Sequence, residues 1–110
     1  MQEKNAVILS AAIHTENGCL DISLELDYGN SRQVFGGYVL YLPESYAHHS
    51  LKSPAGHFIY RLMEVAGVKT WENLPGKAVR VKADYDKIYA IGHIIKNDWF
   101  IPSEAFAKED

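Results

Sequence analysis

The sequence predicts a small, mainly β domain that contains one helix. Three observations lead to this prediction: apolar and polar residues alternate in the first and last parts of the chain, one stretch between them has the period of an amphipathic helix, and turn-forming residues separate the alternating segments. The chain has 110 residues, a length typical of a single domain. We therefore expect three antiparallel strands, then a helix, then two further strands.

The helix is predicted between Ser53 and Gly67. Ser53 suits the first position because its hydroxyl accepts from free amides of the first turn, and the following Pro54 needs no amide partner there. Gly67 suits the left-handed residue that ends many helices. One apolar face is expected to pack on a strongly curved sheet. Its residues are Ala55, Phe58, Ile59, Leu62, Met63 and Ala66.

Five segments have the pattern of β-strands. They cover residues 6–14, 19–28, 32–42, 77–83 and 88–95. The first and the last are apolar on both faces, which indicates strands covered on both sides. The second alternates cleanly between apolar residues and a row of acidic ones, which is typical of a strand with one face in solvent.

Paired glycines, Gly36 and Gly37, interrupt the third predicted strand. Glycines inside a strand usually mark a bulge or a sharp bend, and we interpret them as letting the sheet coil. The other interpretation is that the backbone approaches a ligand at this point.

Five strands with a helix between the third and the fourth is the chain order of the OB barrel, a small closed sheet. We therefore predict an OB-like five-stranded antiparallel barrel of the type β-β-β-α-β-β. A small β-sandwich with one helix has the same pattern and is the alternative. The domain is assigned to residues 1–103, and residues 104–110 are expected to be a short C-terminal tail.

Composition restricts the class of protein. Hydrophobic residues make up 47% and charged residues 23%, which are ordinary globular values. Residues 1–53 carry three basic and six acidic side chains, whereas residues 54–103 carry seven basic and five acidic ones. The single Cys19 excludes an internal disulfide and fits a reducing compartment. With no signal-peptide pattern and no apolar run long enough to span a bilayer, we expect a cytoplasmic protein without membrane contact.

The chain also contains a set of short motifs that occur together. They are LDYG at 26–29, VFGGY at 34–38, GHFI at 56–59, WExLxGKxVRV at 71–81 and AIGHIIKxDWF at 90–100. As a set they resemble a family of small uncharacterised proteins of tailed bacteriophages and prophages, over about residues 6–102. The resemblance implies activity inside a bacterial cell and brings no established activity or site. Small phage proteins of this kind include inhibitors of bacterial defence such as anti-CRISPR proteins.

Residues with catalytic or metal-binding chemistry are few, and no pattern among them indicates an enzyme. His14 and Cys19 flank a predicted turn and are candidate cross-strand neighbours, but no third group is placed to orient them. The side chains of the adjacent His48 and His49 are expected to diverge, as those of neighbouring residues do, and no zinc-ligand spacing accompanies them. His93 is interpreted as a hydrogen-bonded core histidine. We expect no enzymatic activity, no cofactor and no metal.

Single-stranded nucleic acid is one candidate partner, because OB barrels bind it across their second and third strands with stacking aromatic residues. Phe35, Tyr38 and Tyr41 are the candidates for stacking. The acidic row of the second strand argues against this partner, because carboxylates repel phosphates. The only basic stripe that could bind phosphates, around Arg80 and Lys82, is small.

A protein of the host or phage is therefore the expected partner, with self-association as a further form of protein contact. The function expected is that of a non-enzymatic binding module, such as an inhibitor of host defence. The alternative is a single-stranded nucleic-acid-binding accessory protein of phage DNA metabolism. The candidate partner-binding residues are Asp21, Glu25, Asp27, Tyr38, Tyr41, Arg80 and Lys82.

Overall fold

The computed structural model describes residues 2–16, 19–29, 31–36, 54–84 and 87–105. The strands in this part of the chain are β1 (Gln2–Glu16), β2 (Cys19–Asp27), β3 (Arg32–Gly36), β4 (Ala78–Ala83), β5 (Ile88–Gly92) and β6 (Trp99–Phe100). The helical elements are α1 (Pro54–Ala66), a 3-10 turn (Trp71–Asn73) and α2 (Pro102–Ala105). The strands form one open antiparallel sheet in the order β3-β2-β1-β4-β5-β6. The prediction of a mainly β fold with one main helix is confirmed.

The long strand β1 connects the two halves of the sheet. Its first part, Gln2–Val7, pairs with β4, and its second part, Val7–Glu16, pairs with β2. Between these parts the register shifts, so that Ile8 and Ser10 face consecutive residues of β2 and Leu9 is the extra residue of a bulge. Such a bulge bends a strand and increases its twist, which lets one strand serve two halves of a curved sheet.

The bulge also changes which residues of β1 point towards the core. Ala6 and Ile8, before the bulge, are buried in the core. After the bulge Ala11 packs against that core, and Ile13 lies opposite the buried Ile22. Because side chains alternate with a period of two, a strand without the extra residue would point its other face inward from this point onward.

The sheet curls around α1, and three phenylalanine rings lie at the centre of the contact. Phe58 of α1 stacks on Phe35 of β3 with 5.8 Å between ring centroids, and it meets Phe100 of β6 edge-on at 5.2 Å. Phe35 and Phe100 also contact each other edge-on at 6.5 Å. Since β3 and β6 are the outermost strands of the sheet, these contacts require strong curvature that brings the two edges towards each other.

The buried face of α1 differs in part from the predicted one. Phe58 and Leu62 are fully buried, as expected, and Val65 joins them with 1% exposure. Met63 was expected in this face and is only half-buried. The fully buried stripe, at positions i, i+4 and i+7, is narrower than the predicted face. Ala55, Ile59 and Ala66 of the predicted face are partly buried and pack against the core. Ser53, the predicted first residue, lies outside the described residues.

Strand boundaries also differ from the prediction. β1 is longer than the predicted strand 6–14, and β5 ends at Gly92, where the chain enters a loop. The sixth strand, β6, was not predicted, because two residues are too few to establish an alternating pattern. α2 spans the expected boundary between the domain and its tail, and residues 106–110 lie outside the described residues. None of the described helices is long and apolar enough to span a membrane.

Gly36, at the end of β3, lies against the backbone of β2. Its φ angle of +139° is one that side-chain-bearing residues rarely adopt, and an added Cβ would lie 2.8 Å from the Cα atom of Ser23 and closer still to the carbonyl oxygen of Ile22. Glycine is therefore required at position 36 by the close approach of β3 to β2. Gly37 lies outside the described residues.

Candidate functional site

The face of the sheet that points away from α1, which we call the outer face, carries the described candidate residues. On β2 the acidic residues alternate with the buried Ile22, Leu24 and Leu26, so all three carboxylates lie on this face. On β4, Arg80 and Lys82 alternate with buried valines in the same way. The other two candidates, Tyr38 and Tyr41, lie outside the described residues.

Each carboxylate of the acidic row already has a neighbouring group. Asp21 is 3.0 Å from the Nε2 atom of His14, and a second oxygen, Oδ1, is buried with no hydrogen-bond partner in the described part of the chain. Asp27 accepts a hydrogen bond of 3.2 Å from the amide of Gly29, which holds the turn after β2.

Glu25 is more available than Asp21. Its side chain is 43% exposed, compared with 24% for Asp21, and its contact with Arg32 is a long 4.0 Å. An exposed ion pair at this distance contributes little to stability. The carboxylate of Glu25 is therefore free to meet a partner's charge without loss of a structural contact.

Two exposed valines lie beside these carboxylates. Val34 of β3 is 61% exposed and lies directly opposite Glu25, while Val7 of β1 is 41% exposed and lies directly opposite Asp27. Directly opposed side chains on adjacent strands are in contact range, so these four residues form one continuous area. We call Val7, Glu25, Asp27 and Val34 the valine–carboxylate surface.

Arg80, in contrast, holds the protein's own structure. Its Nε atom donates to the carbonyl of His93 at 2.8 Å, and its two terminal nitrogens donate to the carbonyl of Lys96 at 2.8 Å and to Glu3 at 2.7 Å. The side chain is only 20% exposed. These three contacts join β4 to β1 and to the loop between β5 and β6, and they occupy the donor geometry with which arginine would otherwise bind a phosphate or carboxylate.

On the outer face, the ring of Trp99 lies next to the cationic groups of Arg80 and Lys82, a cluster that was not predicted from the sequence. Its ring lies so close to Gly92, its partner in the ladder, that an added Cβ on the glycine would be 2.6 Å from ring atoms. The Nζ atom of Lys82 is 4.4 Å from the ring centroid and the guanidinium carbon of Arg80 is 5.0 Å from it. The only signal in the sequence is a glycine in an otherwise apolar strand, which allows a close approach but does not identify the ring.

The loop between β5 and β6 is held by hydrogen bonds to side chains. His93 follows β5 and accepts at Nδ1 from the amides of Ile95 and Lys96, both at 3.0 Å. It is hydrogen-bonded, as predicted, but it is half-buried in a loop rather than a core residue of a strand, because β5 ends one residue earlier.

Arg61 connects α1 to the same loop. One of its terminal nitrogens donates to Asp98 at 2.8 Å and to the carbonyl of Trp99 at 3.0 Å, and the other contacts Glu64. The hydrogen bond from Arg61 lowers the pKa of the Asp98 carboxyl, although partial burial opposes this shift. The same hydrogen bond raises the pKa of Arg61. The pair therefore stays charged over the physiological range and links α1 to the loop between β5 and β6.

The described part of the chain places His14 and Cys19, the pair considered for catalysis, and most of the residues that could bind a metal. The register places His14 directly opposite Asp21 and Cys19 directly opposite Glu16, so His14 and Cys19 are diagonal neighbours on adjacent strands rather than a directly opposed pair. Among the described residues no three His, Cys, Asp or Glu side chains cluster so that they could hold a metal ion. His48 and His49 lie outside these residues.

Phe35 does not act as a stacking platform. It was one of three candidates for stacking on nucleic-acid bases, and it is fully buried against Phe58. The alternation of β3 points Val34 outward and Phe35 inward, which the sequence pattern did not resolve because Gly36 follows directly.

The fold and the outer face define a class of protein only in general terms: a β-rich domain with one main helix and an exposed sheet face of mixed charge. No protein-family model matches the chain. No curated protein matches it, and neither does any solved structure.

Proposed function

We propose that this chain is a non-enzymatic binding module that recognises a protein partner through the valine–carboxylate surface. The observation that supports this proposal most directly is the exposure of Val34, at 61%, beside the available carboxylate of Glu25. Single exposed valines are common on strands, so the proposal rests on the combination of Val34 with the neighbouring carboxylate of Glu25 rather than on Val34 alone.

The composition of the surface indicates the chemistry of the partner. Exposed apolar side chains gain free energy when a partner covers them, whereas neighbouring carboxylates favour basic groups at the rim of the contact. Val7 and Val34 lie on the two strands that flank β2, with the carboxylates between them. A protein surface with lysine or arginine beside apolar side chains fits this arrangement.

The same residues disfavour nucleic acid. Of the outer-face positions of β2 and β3 that are described, none carries an aromatic side chain, and three carry carboxylates. Single-stranded nucleic acid is bound by stacking on exposed rings and by basic grooves. Arg80, the strongest basic candidate, donates three hydrogen bonds within the chain. Of the two basic candidates this leaves Lys82, beside Trp99, to contact a phosphate.

An OB-like barrel is the architecture that we propose for the complete fold. The order β3-β2-β1-β4-β5, the position of α1 between β3 and β4, and the bent β1 that pairs on both sides support it. The contact between Phe35 and Phe100 supports it as well, because it brings the two edges of the sheet together. Nuclear Overhauser contacts between backbone protons of β3 and β5 would test the closure.

The resemblance to small phage proteins supports a cytoplasmic partner in a bacterial host, such as a component of its defence systems, or a protein of the phage itself. An inhibitor acting by surface recognition needs no catalytic group. This setting determines the source of material for the experiment.

The experiment is affinity capture from a bacterial lysate treated with nuclease, with purified chain as bait. We expect a captured protein to be retained by the parent and lost with the double variant Glu25→Lys and Val34→Lys. Glu72→Lys, a charge reversal at an exposed position of the 3-10 turn, is the matched control and should retain it. Equal capture by both variants, or capture that depends on nucleic acid, would contradict the proposal.

A further inference from the structure

Among the described residues, the hairpin of β1 and β2 leaves one edge of the second part of β1 without a paired strand, and we call this the open edge. The ladder between β1 and β4 ends at Val7, and Ile8 adds hydrogen bonds to Lys77 and Gly76. From Ser10 onward, β1 pairs with β2 on one side, and no strand of the described chain pairs with its other side. Unpaired edges of this kind are templates for a further strand.

The backbone groups at this edge are identified by the hairpin register. Glu16 and Cys19 are the closing pair, with two residues between them, and the closing pair of such a hairpin exchanges both hydrogen bonds. Alternate pairs then follow the same rule, so His14 and Ala12 also point their amides and carbonyls at β2. The amides and carbonyls of Ala11, Ile13 and Thr15 consequently point to the open edge.

The side chains along this edge offer little protection against pairing. Protein edges are usually guarded by lysine, proline or bulges, and residues 10–15 contain neither lysine nor proline. Ile13 is 44% exposed although it lies on the core side of the sheet, and Ala12 and Thr15 are exposed as well. An apolar branched residue is thus held in solvent at the middle of the edge.

The segment is complementary to itself in the antiparallel direction. With Ile13 opposite Ile13 of a second copy, Ala12 lies opposite His14 and Ala11 lies opposite Thr15, so no like charges face each other. In this register the three residues whose backbone groups point outward oppose one another, and each donor meets an acceptor. The two Ile13 side chains also cover each other.

We infer that a second copy of this chain binds along Ala11–Thr15, as an antiparallel strand pair centred on Ile13, to form a two-fold symmetric dimer. The pairing joins two hairpins into one four-stranded ribbon. A single short strand pair buries less than the ~1,200 Å² at the low end of standard stable interfaces, so the dimer forms reversibly at micromolar to millimolar concentration. This contact uses the edge of the sheet, whereas the proposed partner contact uses its outer face.

Sedimentation equilibrium of the purified chain over this concentration range tests the inference. The parent should show a monomer–dimer equilibrium, and Ile13→Lys should weaken it at least tenfold because two lysines would face each other across the axis. Val34→Lys, on the outer face, is the matched control and should dimerise like the parent. A parent that stays monomeric throughout, or equal weakening by both variants, would overturn the inference.

Crosslinking tests the register itself. In a Cys19→Ser background, Ile13→Cys should be joined to a second copy by a short bismaleimide, whereas Thr70→Cys, exposed before the 3-10 turn, should not. Comparable crosslinking at both positions would show that the copies meet by another surface. The dimer and the partner contact can fail separately. If the chain does not dimerise but still captures its partner, only this inference is wrong. If it dimerises but captures no partner, only the proposed function is wrong.

Discussion

Replacing Phe58 by alanine tests whether α1 is the element around which the sheet closes. Phe58 is fully buried and contacts both Phe35 and Phe100. Removing a buried phenylalanine side chain costs about 3–5 kcal/mol, and the two lost aromatic pairs, each contributing about 0.5–1.5 kcal/mol beyond burial, favour the upper end. Because a stable domain of this size has only about 5–15 kcal/mol in total, the variant should lose much of its stability.

The assay is urea unfolding followed by circular dichroism, which compares the free energy of unfolding of the variant with that of the parent. Tyr60→Ala is the matched control, because Tyr60 is on the same helix and 64% exposed, and it should change the free energy by less than about 0.5 kcal/mol. A loss of less than 1 kcal/mol for Phe58→Ala, or equal losses for both variants, would refute the placement of α1 in the core.

Two further predictions concern the backbone of β3 and the ion pair between Arg61 of α1 and Asp98. Gly36→Ala should lower the melting temperature more than Gly29→Ala does. Both glycines have a positive φ angle, but only at Gly36 would an added Cβ meet backbone atoms. Equal decreases in melting temperature would exclude the close contact with β2. Asp98→Asn should lower the melting temperature at pH 7. The pKa of Asp98 is below its ordinary value of 3.8 in the folded chain, so its stabilising effect is present above that value and is lost as the pH falls through the lower, folded-state pKa. The difference between variant and parent should therefore vanish in acid, and a constant difference at all pH values would contradict the pairing with Arg61.

Local patterns in the sequence predicted the elements whose residues are close together in the chain. The helix followed from its period and its end residues, and the outward position of Glu25 followed from strict alternation along β2. The buried Val65 was missed, because which flank of an apolar stripe is covered depends on how the sheet curves around the helix. The two-residue strand β6 was too short to give a pattern.

Contacts between distant residues could not be predicted from one sequence. Arg61 meets Asp98, 37 positions away, and Arg80 meets Glu3, 77 positions away. Two of the acceptors of Arg80 are backbone carbonyls, and since every residue has one, the sequence does not indicate which carbonyls are used. Charge patterns therefore marked Arg80 as available for a partner, whereas the fold uses it to hold a loop. The role of Glu25 and its neighbours in binding stays a prediction.

Hydrogen–deuterium exchange of the chain with its captured partner is the most direct measurement of the central proposal. If the valine–carboxylate surface is the interface, exchange should slow in residues 23–34, which run from the middle of β2 into β3. The double variant Glu25→Lys and Val34→Lys should abolish that protection. Protection confined to residues 77–82, with none in β2 and β3, would contradict the proposal and place the interface on the basic strand.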